Sequence, residues 1–186
     1  MNRVHLKGVL SSILILIVGF LGTRCATPNE GLKTYPKDYV HPLTEINLEK
    51  VFAENRGLKV LEENATKVHD FYRGGVQEKE DGENLLKEGK WEEARKQLEK
   101  SNRFLRVVVK YLPEDEAHRD IYEGQTVIFL PNLLMADNDL KLLTVYKNMR
   151  NENKAAEVKG EGQYYLAESL KSVKTEWAYQ IKKGFE

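Results

Sequence analysis

The sequence predicts an all-α fold of antiparallel helical hairpins, and three observations carry that prediction. Apolar residues recur at intervals of three and four along most of the chain after residue 45. No segment alternates apolar and polar residues over a useful length, as a half-buried strand requires, so strands are expected to be absent or marginal. Glycines and prolines fall at the ends of the periodic stretches, where they end helices.

In order, Leu58, Leu61, Ala65, Val68 and Tyr72 share one helical face, which Gly74-Gly75 is expected to end. A shorter helix follows from about Gln77 to Lys87, with Leu85 and Leu86 buried and Gly89 as its stop. Trp91, Ala94, Leu98, Ser101, Leu105, Val108 and Leu112 make the clearest stripe, which ends at Pro113. A further helix opens on the acids Glu114-Asp115-Glu116, continues through Ile121, Val127 and Ile128, and is kinked or broken by Pro131. The apolar run from Val127 to Met135 is too short to cross a bilayer and reads as core. Leu140, Leu143, Tyr146 and Met149 mark another face, which frays at Asn151-Glu152-Asn153-Lys154. The last helix runs from about Glu161 to Lys183 on Leu166, Leu170, Val173, Trp177 and Ile181.

The N-terminus differs in kind. Arg3 and Lys7 precede an apolar run from Val9 to Leu21, the layout of an export signal and shorter than the roughly 20 residues of a spanning helix. Residues 1–24 are therefore expected to be a signal segment, 25–44 a tether with Pro28, Pro36 and Pro42, and 45–186 the helical domain. For the tether, a loose arm packed on the domain surface is the alternative. The only cysteine, Cys25, excludes an intramolecular disulfide. Leu21-Gly22-Thr23-Arg24-Cys25 resembles the end of a bacterial lipoprotein signal. The resemblance implies that Cys25 is the lipid attachment site and that the protein is anchored in the cell envelope, facing the periplasm or cell exterior. Arg24 stands where such signals carry a small residue, so an uncleaved N-terminal anchor and a chance free cysteine are the alternatives.

The composition, 41% apolar and 31% charged, is that of a globular chain with a core. The formal net charge is zero; without Arg3, Lys7 and Arg24, 26 basic groups face 29 acidic ones. That balance disfavours a nucleic-acid partner.

Gly82, Leu85, Gly89, Trp91, Ala94 and Leu98 follow the order of a tetratricopeptide repeat, which this stretch resembles, and Gly124, Val127, Leu133, Ala136 and Leu140 lay out a second, degenerate copy. A helical bundle without repeats is the alternative. The resemblance implies a concave face that binds a protein or peptide. Lys79, Glu83, Leu86 and Lys87 would line it from the first copy, and His118, Ile121, Gln125, Ile128 and Phe129 from the second.

Chemistry is sparse by comparison. Asp115-Glu116-Ala117-His118 spells a helicase motif without any phosphate-binding loop, and Gly160-Glu161-Gly162 lacks the third glycine of a dinucleotide site. Glu114 with His118 and Glu62 with His69 have spacings compatible with metal ligation, but such pairs are ordinarily solvated helix surface. There is no Gly-x-Ser-x-Gly elbow. The reading is of a non-enzymatic adaptor without cofactor or metal, anchored in the membrane by lipid and binding another envelope protein or peptide. The alternatives are a small-ligand carrier in which Ile128, Phe129, Tyr164, Tyr165 and Trp177 line an apolar pocket, and a structural spacer with no specific ligand.

Overall fold

A computed structural model describes residues 38–42, 62–111, 121–122, 125–126 and 129–186. The chain divides between Leu32 and Lys33, and every described residue belongs to the second unit. Five helices make up most of the described residues: α1 Glu62–Lys87, α2 Trp91–Tyr111, α3 Phe129–Asn148, α4 Glu152–Ser172 and α5 Glu176–Phe185. Between α2 and α3, β1 (Ile121–Tyr122) and β2 (Gln125–Thr126) form an antiparallel ladder in which Ile121 faces Thr126. The architecture is all-α, with α1 against α2, α3 against α4, and α3 also touching α2 and α5.

Where the sequence predicts two helices before Gly89, the structure has one, and α1 runs straight through Gly74-Gly75. The reason is interhelical approach. A Cβ on Gly75 would lie 2.9 Å from the Leu105 side chain, one on Gly74 2.9 Å from the Phe104 ring, and one on Gly82 2.8 Å from Leu98. Glycine costs a helix interior about 1 kcal/mol relative to alanine. Here it admits the α2 backbone close enough for Ser101 Oγ to donate to the Gly75 carbonyl at 2.7 Å, with Leu98 and Leu105 fully buried. The helix ends as expected at Gly89, whose φ of 72° and the hydrogen bonds Lys90 N to Leu85 O and Gly89 N to Leu86 O make a Schellman cap.

The predicted stripe of α2 is realised by Ala94, Leu98, Ser101, Leu105 and Val108, all buried, although Trp91 at the helix start stays partly exposed. Pro131 neither kinks nor breaks a helix. It sits in the first turn of α3, where no intrahelical donor is needed. Residues 121–122 and 125–126, expected within a helix, are instead strands of a ladder. All residues from Phe129 to Asp139 are buried, because helices cover α3 on several sides.

Asn151 is a cap and not a frayed end: its side chain accepts from Lys154 N at 3.2 Å. The single final helix of the sequence reading is two. Val173 to Thr175 is extended, and the Thr175 hydroxyl caps α5 by accepting from Ala178 N at 3.1 Å. The gap in the helix is filled by the N-terminal arm. His41 N donates to Lys174 O at 2.8 Å, Glu176 N donates to His41 O at 3.0 Å, and Asp38 pairs with Lys174 at 2.8 Å. Residues 38–42 are thus docked on the helical unit and not part of a free tether, and His41 is 4% exposed.

Trp177, Ala178, Ile181 and Phe185 of α5 close the core. Beneath Phe185 lies Gly162 of α4, where a Cβ would run into the Phe185 ring and come within 2.8 Å of Asp139 Cβ. Gly162→Ala is accordingly expected to destabilise the protein by about 1 to 3 kcal/mol through overpacking. Urea unfolding is the check, and a midpoint at or above wild type would show that α5 yields freely.

Candidate functional site: a buried polar layer and a cationic outer face

Of the residues expected to form a binding groove, Lys79, Glu83, Leu86 and Lys87 lie on α1, where Lys79 and Glu83 pair with each other. Lys79 is 1% exposed, its ammonium 6.0 Å from the Trp177 ring centroid, although the sequence places it on an open face. Glu83 and Leu86 are half-buried, and Lys87 is exposed and donates to Asn84 Oδ1 at 3.3 Å. Ile121 and Gln125 pair with Thr126 and Tyr122 in the ladder. Cys25, His118 and Ile128 lie outside the described residues. The proposed apolar pocket is scattered, with Phe129 and Trp177 in the core and Tyr164 60% exposed.

What the structure assembles instead is polar and interior. Lys79 and Glu83 on α1 and Asp137 and Lys141 on α3 form a closed circuit of alternating charge. Lys79 lies 3.1 Å from Asp137 and Lys141 3.0 Å from Glu83, and the circuit is completed by the Lys79–Glu83 and Lys141–Asp137 pairs. Both of the latter are i,i+4 pairs, so each helix contributes one neighbouring cation and anion. Burial pushes the Glu83 carboxyl up, but the two lysines outweigh it and hold Glu83 below the ordinary carboxylate range.

Alongside runs a chain of amides. Asn138 Nδ2 donates to Ser101 Oγ at 2.8 Å and to Asn102 Oδ1 at 2.9 Å, and Asn102 Nδ2 donates to Asp139 Oδ1 at 2.6 Å. Asp139 is 1% exposed, and its Oδ2 has no hydrogen-bond partner among the described residues; nor do Asn138 Oδ1 and Ser169 Oγ. Burial, reinforced by the charge of Glu161, pushes the Asp139 carboxyl up to about 7 against the smaller opposing pull of Asn102 and Arg106. A third cluster is nearer the surface. Tyr146 hydrogen-bonds Glu99, which pairs with Arg95 at 2.7 Å; burial and Glu99 push the phenol up to about 12.

The outer face of α2 is cationic. Arg103, Arg106 and Lys110 follow a spacing of three and four and are exposed. Arg106 bridges to α4, with Nε donating to Tyr165 OH at 2.8 Å and Nη2 to Glu161 at 2.8 Å. At the end of α2, Lys67 Nζ donates to Tyr111 OH at 2.8 Å and sits 4.4 Å from that ring's centroid.

Part of this was visible as sequence. The i,i+4 spacings of Lys79 with Glu83 and Asp137 with Lys141 are plain, but nothing in either helix alone says that the two pairs meet. Asn102, Asn138 and Asp139 offered only the weaker sign of polar residues amid apolar stripes. Among the described residues no three metal-ligating side chains converge, and no helix is long and apolar enough to cross a membrane. Comparison with protein-family models, curated proteins and solved structures finds no match.

Proposed function

We propose that this protein is a non-enzymatic, envelope-anchored helical adaptor that holds a protein or peptide partner against its outer surface. The observation that carries this reading is how the polar groups are divided. Most of the buried ones pair with one another across α1, α2 and α3, while the outer face of α2 carries a strip of cations beside exposed Tyr164. The close α1–α2 hairpin, with Gly82 under Leu98, supports building it on a tetratricopeptide-like plan. The N-terminal apolar run and Cys25 support anchoring by lipid, with the helical unit carried outside the membrane.

Two measurements test the reading. Intact mass of the membrane-extracted protein is expected to match a chain beginning at Cys25 and carrying acyl groups; the mass of the unmodified full chain would remove the lipid anchor. Cross-linking in the envelope fraction is expected to give one reproducible protein neighbour joined through α2 or α4. A co-purifying small molecule without such a neighbour would favour the carrier.

A further inference from the structure

We propose that the C-terminal half of α2, together with the Tyr164-Tyr165 pair of α4, docks an acidic peptide segment of a partner protein. This rests on the adaptor reading and names the chemistry of what the adaptor holds.

The argument begins with an asymmetry in α2. Its first half mixes signs, and its cations are engaged: Arg95 with Glu92 and Glu99, Lys96 with Glu92, and Lys100 with Glu78. From Lys100 to Pro113 the sequence has no Asp or Glu. Arg103, Arg106 and Lys110 therefore project from an acid-free face, with partly exposed Val107 between them. Among the described residues no carboxylate pairs with Arg103 or Lys110. A surface cation on a helix is ordinarily met by acids three or four residues away; around Arg106 those positions hold Asn102, Arg103, Val109 and Lys110, and Glu99, four residues before Arg103, is taken by Arg95 and Tyr146.

Lys67 extends the strip at one end. It and Lys110 lie 4.4 and 5.9 Å from the centroid of the Tyr111 ring. On the α4 side, Tyr165 fixes Arg106 through its hydroxyl, and Tyr164 packs edge-on against Tyr165 at 5.4 Å while keeping 60% of its surface exposed. A large exposed aromatic beside a positioned arginine supplies stacking area as well as charge, the composition typical of interface anchors.

The dimensions select the partner class. Arg103 to Lys110 spans roughly 10 Å along the helix, the length of about three residues of extended chain. The strip is bounded by Glu161 beside Arg106 and by Glu78 upstream. A flat anionic membrane would meet those acids together with the cations, whereas a narrow run of Asp and Glu with an apolar residue for Val107 and Tyr164 fits between them. A nucleic acid fits less well, since its phosphates need a broader basic footprint than a chain of zero formal charge provides.

The test uses the full-length protein in detergent and three probes: a labelled ten-residue peptide rich in Asp and Glu with two leucines, its Asn and Gln counterpart, and vesicles containing anionic lipid. The acidic peptide alone is expected to bind, with affinity falling as salt rises. The double variant Arg103→Glu with Lys110→Glu is expected to weaken binding by about tenfold or more, with its melting curve unchanged because both side chains are exposed and pair with no carboxylate among the described residues. Equal binding by variant and wild type overturns the proposal, as does equal binding of the amide peptide or preference for vesicles. Cross-linking separates the two readings. An envelope neighbour recovered equally with wild type and variant keeps the adaptor and removes this strip, while peptide binding without any neighbour keeps the strip and removes the adaptor.

Discussion

Raising the pH from 5 to 8 is expected to lower the melting temperature by about 10 °C, and Asp139→Asn is expected to abolish most of that dependence. Asp139 is buried with Oδ2 unpartnered, and its carboxyl is raised from 3.8 to about 7. Because the folded value lies above the unfolded one, the folded protein binds more protons between them, and stability declines as pH rises. The contribution is complete below the unfolded value and lost as pH passes through about 7. The whole displacement corresponds to about 4 kcal/mol, of which about 3 falls between pH 5 and 8; for a chain of this length that is on the order of 10 °C. The asparagine cannot ionise, and its oxygen can still accept from Asn102. Its amide gains a buried donor in return, so the variant is expected to be no more stable than wild type at pH 5 and distinctly more stable at pH 8. Calorimetry at both pH values decides. A wild-type curve that is flat over this range, or a variant with the same slope, would show that Asp139 ionises without cost. Glu83 acts in the opposite sense: its depressed carboxyl contributes stability that is lost in the acid range, so stability should peak between the two.

The second large effect is expected at Lys79. Lys79→Ala should destabilise by about 3 kcal/mol, because Asp137, itself buried, and half-buried Glu83 would share Lys141 alone. Lys79→Met keeps most of the volume and separates lost charge from lost packing. It too should be strongly destabilising, and less so when Asp137→Asn is already present, since the two residues are directly coupled. Urea midpoints of the four proteins supply the cycle. A Lys79→Met protein within about 0.5 kcal/mol of wild type would mean the circuit contributes little. Reversing Lys79 to glutamate cannot serve as a probe of binding, because it would leave three carboxylates around one lysine.

The helices and their main stripes were legible in the sequence because burial repeats every three to four residues, and α2 follows that pattern from Ala94 to Val108. Its errors share a physical cause. Gly74-Gly75 was read locally as a stop, whereas close approach of α2 makes glycine a requirement there. The repeat resemblance puts Lys79 on an open face, yet a tertiary partner on α3 holds it inside. The split between α4 and α5 depends on His41, more than 130 positions away in the chain, which supplies the hydrogen bonds that release Val173 to Thr175 from helical geometry. Such information is nonlocal, and helical periodicity contains none of it.

The His41 bridge also determines how the protein bears mechanical load. Tension applied upstream of Asp38 reaches the helices first through the backbone hydrogen bonds His41 N to Lys174 O and Glu176 N to His41 O, with Asp38 and Lys174 as a third attachment. The point of attachment is therefore the root of α5, near the C-terminus of the chain. A pull from the N-terminal side of Asp38 is shared by α4 and α5 before it is transmitted along the backbone toward α1.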